Sequence, residues 1–207
     1  MVGVANSINS GTGTQNYVLQ SQGTSSPPQF VNNASIGGLA LLSTQTANNS
    51  AASVAFQSVI SGTYNSYCVI AYNITVATST ANLLLEYSTD NVNWDTTSGH
   101  YAWVATAATV TGSPSFASTG ASSATAITMM ASLNTSTNAS FVLELVAPAT
   151  SLVDCYFTTM YENSSSAITY AFGAGNYTPS SAVQAIRFIT SSGNIVTGVF
   201  KMYGYIS

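Results

Sequence analysis

Few side chains in this chain can do chemistry. It holds one histidine, His100, and six acids, Glu86, Asp90, Asp95, Glu144, Asp154 and Glu162, against two cations, Arg187 and Lys201. A serine hydrolase needs a hydroxyl, a histidine and an acid in one line of hydrogen bonds. The sequence contains no GxSxG, no HExxH for zinc and no GxxxxGK for nucleotide phosphates. Glycoside hydrolysis needs two acids roughly 5 to 10 Å apart across a cleft. Glu86, Glu144 and Glu162 fall in strand-like runs, and outward polar positions on alternating strands are their plainer explanation. The expectation is a protein that is not an enzyme and carries no cofactor.

The densest polar cluster is STDNVNWDT, residues 88 to 96, where Asp90, Asn91, Asn93 and Asp95 surround Trp94. Carboxylate and amide oxygens suit calcium, but an EF-hand would not place Val92 and Trp94 third and fifth from Asp90, and its glycine and glutamate are missing. Asp and Asn also supply turn hydrogen bonds, so the cluster reads more simply as a hairpin joining LLLEYS to the YAW strand. Trp94, Tyr101 and Trp103 have two readings, a sugar-stacking platform for a glycan or, more simply, core packing of large aromatics. Cys68 and Cys155 lie in apolar runs without a CxxC or a histidine cluster, which fits two buried thiols or one disulfide between neighbouring strands.

These residues sit in an unusual background. At 207 residues the chain builds one core. Charged residues make up 4%, against about 25% in an average domain, so hydroxyls and amides must solvate the surface. Two cations cannot neutralise a phosphate backbone, which argues against nucleic-acid binding. A hydrophobic share of 46% supports a real core, and no run approaches the roughly 18 apolar residues of a membrane-spanning helix. The opening MVGVANSINSGTG lacks the basic and apolar regions of a signal peptide, so synthesis in the cytoplasm and release by lysis are expected.

Residues 1 to 36 are dominated by Ser, Gly, Thr, Asn and Gln, with a Pro27-Pro28 break, and read as an extended arm. From residue 37 the pattern is short apolar or alternating runs separated by polar turns, ten or eleven strands in all. In FVLELV, Phe141, Leu143 and Leu145 share one face and Val142, Glu144 and Val146 the other, which is wet or covered by a partner. The stretches 109 to 124 and NTSTNAS from Asn134 read as surface loops. SAVQAIRF near Ser181 offers the one cap followed by a brief helical turn. Without βαβ spacing, the fold class is all-β: an antiparallel β-sandwich, jelly-roll-like, over residues 37 to 207, with the arm in front.

Two segments resemble virion structural proteins of tailed bacteriophages. TQNYVLQSQGTSSPPQFV, Thr14 to Val31, is similar to a tail-fibre pattern in which a short apolar pair precedes a Gly turn, a Pro and an aromatic. The block from YNSYCVIAYNITVATSTANLLLEYSTDNVNWDT to the terminal AVQAIRFITSSGNIVTGVFKMYGYIS is similar to a strand, a turn ending in Trp, and a closing SGN-x3-G-x-F-K strand. Asn91-Val92 stand where that pattern has Gly-Gly. The resemblance implies a virion component of fibre or spike type, or a capsid decoration protein. Its arm would anchor through Tyr17, Val18, Leu19, Phe30 and Val31. Its partners would be other virion proteins, copies of itself as a homotrimer, and a host surface glycan.

Overall fold

The computed structural model describes residues 17–20, 27–32, 38–48, 50–146, 148 and 152–206. Within the region read as an arm, β1 (Tyr17–Gln20) and β2 (Gln29–Asn32) pair antiparallel, Tyr17 opposite Asn32 and Gln20 opposite Gln29. The anchoring residues Tyr17, Val18, Leu19, Phe30 and Val31 all lie in this pair; their side chains are outside the described set. Backbone contacts separate a unit ending at Gly38 from one running from Leu39 to Tyr205.

The second unit is an antiparallel β-sandwich. Its strands are β3 (Gly38–Ala47), β4 (Ser53–Phe56), β5 (Ser66–Val76), β6 (Leu83–Ser88), β7 (Tyr101–Val110), β8 (Pro114–Ala124), β9 (Ile127–Met130), β10 (Ala139–Val146), β11 (Val153–Glu162), β12 (Ile168–Tyr177), β13 (Ala185–Thr190) and β14 (Ile195–Ile206). One sheet has eight strands in the order β3-β14-β5-β10-β11-β12-β7-β8; the other has four, β4-β13-β6-β9. Strands rich in Val, Ile, Tyr and Phe suit a pleated surface with side chains packed on it.

The two sheets share one core, tied at two aromatic clusters. Phe188 of β13 lies 5.0 Å from Phe141 of β10 and 5.4 Å from Phe200 of β14, ring centre to ring centre. Tyr87 of β6 stacks on Tyr101 of β7 at 5.8 Å and meets Tyr177 of β12 at 5.0 Å. All six rings are almost wholly buried. Such offset and tilted aromatic contacts add to the burial of apolar area.

Three local expectations are corrected. Residues 114 to 124 are strand β8 and not a loop: β8 sits at the sheet edge, where a strand pairs on one side and needs no apolar stripe. The SAVQAIRF segment carries no helical turn; Ala185–Thr190 pair between β4 and β6, with Ile186 and Phe188 turned into the core. STDNVNWDT is not a hairpin, because β6 and β7 belong to different sheets and the segment crosses between them. The NTSTNAS segment is a loop up to Ala139, where β10 begins.

Candidate functional site

The residues singled out in the sequence form two separate structures. Asp90 closes its own turn: Oδ1 accepts from the amides of Val92 and Asn93 and from Ser88 Oγ, and Oδ2 from Asn93 Nδ2. The Asn93 amide first, then its side chain and the Val92 amide, hold the Asp90 carboxyl well below the usual range. Asn91, at φ 64°, accepts from the Ser58 amide and donates to Gln184, pinning the crossing segment to the residues just after β4 and just before β13, neighbouring strands of the four-stranded sheet. Asp95 faces elsewhere. Its Oδ2 takes His100 Nδ1 at 2.6 Å and the Tyr177 hydroxyl at 2.7 Å, and its Oδ1 takes the Thr97 amide. Burial pushes this carboxyl up, but hydrogen bonds from His100, Thr97 and Tyr177 outweigh it and hold it at about 2.

These carboxylates therefore serve the loop. Among the described residues, no three His, Cys, Asp or Glu side chains gather to hold a metal ion, and no Ser or Thr hydroxyl is hydrogen-bonded to the His100 ring. Cys68 and Cys155 are free, buried thiols, and burial pushes Cys155 up to about 12.

The three aromatics do not meet on one surface. Tyr101 is fully buried, and its hydroxyl donates to the Asp95 carbonyl and accepts from the Tyr87 amide, so it has no ring face for a sugar. Trp103 packs against the core from the same side of β7 as Tyr101. Trp94 covers Arg187 at 4.8 Å on the four-stranded sheet. Glu86 is turned outward yet buried at 4% exposure, taking Arg187 Nε at 2.6 Å. Its outward position is the one the alternation predicts; it is buried there because Arg187 stands directly opposite and Trp94 of the crossing loop covers Arg187.

The eight-stranded sheet presents a different surface on its outer face. Its register aligns outward side chains in rows across the strands. One row runs Val142, Thr158, Phe172, Thr106; the next runs Ser140, Met160, Tyr170, Ala108, Phe116; the last pairs Glu162 with Ile168 and Val110. Met160, Ile168 and Phe172 are each more than half exposed, and Tyr170 is 49% exposed. Across β10, β11, β12, β7 and β8 the only charge in these three rows is Glu162, which holds Asn134 at the margin; the first row continues through Ile70 to Lys201 on β14. Monomeric proteins seldom leave contiguous apolar patches beyond a few hundred Å².

Toward the other end of the same strands the rows change character. Tyr156 stands opposite Ala174, and Ala174 opposite Val104; beyond them Asp154, Asn176 and Ala102 form the next row. Small residues between larger ones leave a groove of about 630 Å³. At its edge β8 carries a bulge opposite Tyr101 and Trp103, and Gly120 lies so close to β7 that a Cβ would fall 2.5 Å from the Trp103 carbonyl oxygen. Bulges of this kind re-aim a strand beside a site.

Sequence reasoning reached this face only at β10, where the side of Val142, Glu144 and Val146 read as wet or covered by a partner, and missed the rows across β11, β12 and β7. Their signal is present in β12 as Ile168, Tyr170 and Phe172 alternating with Thr169 and Ala171, a strand apolar on both sides whose larger residues point away from the core. No protein-family model, curated protein or solved structure matches the chain.

Proposed function

We propose that the chain is a non-enzymatic structural protein of a tailed-phage virion, a fibre or spike subunit. It associates with copies of itself through the apolar rows of the eight-stranded sheet and docks on neighbouring virion proteins through residues 1 to 36. The observation that carries this reading is the exposed apolar block of Met160, Ile168, Tyr170 and Phe172 on paired strands. The resemblance of the Thr14–Val31 and terminal segments to phage fibre proteins supplies the virion setting.

A second copy suits this block better than an unlike partner. Three rows spaced about 6.7 Å along five strands spaced about 4.8 Å cover roughly 500 Å² per subunit, or about 1,000 Å² per pair, the lower bound for a specific interface. The rows offer no charge pattern that would select an oppositely charged partner, whereas apolar side chains interleaved with Thr are complementary to themselves. Closed cyclic symmetry would also shield long strands from open-ended aggregation.

Native mass spectrometry of the full chain beside a chain starting at residue 37 tests this. The expected result is a trimer of each, three times 21.3 kDa for the full chain and three times its own smaller mass for the shortened one, placing association in the sandwich. A monomer at every concentration would refute it.

A further inference from the structure

We infer that the groove between Tyr156 and Val104 binds a neutral pyranose glycan. A pyranose has an apolar C–H face and a rim of hydroxyls that each donate and accept. Tyr156, 54% exposed on one wall, offers an aromatic surface for the first. Asp154 and Asn176, direct partners across β11 and β12, offer the second: Asn176 Nδ2 donates to Asp154 Oδ1 at 2.8 Å. That bond fixes both side chains, and among the described residues Asp154 Oδ2 and the Asn176 carbonyl oxygen stay free as acceptors. A carboxylate held beside a carboxamide matches vicinal hydroxyls and binds them by charge-assisted hydrogen bonds without first being ordered. Ala102 and Ala174 make a flat floor under a ring, and the volume falls in the 300 to 1,000 Å³ of small-ligand sites.

Other ligand classes fit less well. Anionic sugars and nucleotides would meet Asp154 with no cation in the lining; Arg187 is held by Glu86 and Trp94, and Lys201 lies over Tyr72. An extended peptide needs free backbone groups, but β11, β12 and β7 are each paired on both sides. Hydrolysis needs two acids across the substrate. The groove lining holds Asp154 alone, while Glu144, one diagonal step away on β10, accepts the Tyr205 hydroxyl at 2.8 Å. The groove and the apolar rows occupy opposite ends of the same strands, so the inference does not depend on how the chain assembles.

The test uses the full chain on an array of neutral oligosaccharides of glucose, galactose, mannose and N-acetylhexosamines, with sialylated and uronic-acid glycans beside them. Calorimetry then follows with the best neutral binder. Binding confined to neutral members, weakened roughly tenfold or more by Asp154→Asn and abolished by Ala174→Trp, is the expected result. Lys201→Ala, remote from the groove, leaves the affinity unchanged. Affinity per site is read beside native mass, so loss of assembly and loss of the site register separately. Four outcomes would overturn the inference: no neutral member bound, preference for the acidic members, binding indifferent to Ala174→Trp, or release of a hydrolysed product.

Discussion

The two outer faces of the sandwich differ in what covers them. On the four-stranded sheet the outward residues Ser53, Ala55, Leu84, Glu86, Arg187 and Ile189 are all buried or half-buried. The chain's own crossing loop lies there, with Trp94 over Arg187 and Arg187 on Glu86. On the eight-stranded sheet large apolar side chains stand open along three rows. The cation–carboxylate pair is thus on the closed side and the oily residues on the open side, the reverse of what a lone soluble domain needs. A face closed by its own loop is a finished surface; a face left bare in this way is the one the proposed association would cover.

The largest expected effect comes from breaking what both faces share. Phe188→Ala should cost about 3 to 5 kcal/mol in urea unfolding, since Phe188 joins the sheets through Phe141 and Phe200. The closed face is tested next. Arg187→Met leaves Glu86 buried without its partner and should cost about 2 to 4 kcal/mol, and adding Glu86→Leu should recover most of that, because a buried pair replaced whole by apolar groups is close to neutral.

Acid should loosen the closing loop. Asp95 is held at about 2 in the folded chain, below the roughly 3.9 of an unfolded Asp, so its contribution is complete above about pH 4 and disappears as pH falls through about 2. Up to about 2 kcal/mol should vanish across that window, and Asp95→Asn should flatten this limb of the stability curve. The smallest effect is expected at Tyr87, whose buried hydroxyl has no hydrogen-bond partner among the described residues. Tyr87→Phe should be neutral or stabilising by a few tenths of a kcal/mol in thermal unfolding.

The sheet-forming segments were legible where their alternation is strong: FVLELV carries inward residues at every second place, as the structure bears out. β8 was not, since an edge strand of Ser, Ala and Thr has no apolar stripe to read. The crossing loop was read as a turn because Asp90 does make turn hydrogen bonds; local spacing carries no information on which sheet receives the next strand. Tyr101 and Trp94 could not be sorted by type, because burial depends on register and on a loop partner 93 residues away, Arg187. The groove is the least legible part. Asp154, Tyr156 and Asn176 come together only through the pairing of β11 with β12, and nothing in either strand alone marks them.

The most direct test of the bare face is sedimentation equilibrium of the intact chain beside Phe172→Asp. Phe172 is 53% exposed and central to the apolar rows, so the charge should cost the fold no more than about 1 kcal/mol. The account predicts an oligomer for the native chain and a folded monomer for the variant. A native monomer, or a variant that assembles as well as the native chain, would contradict it.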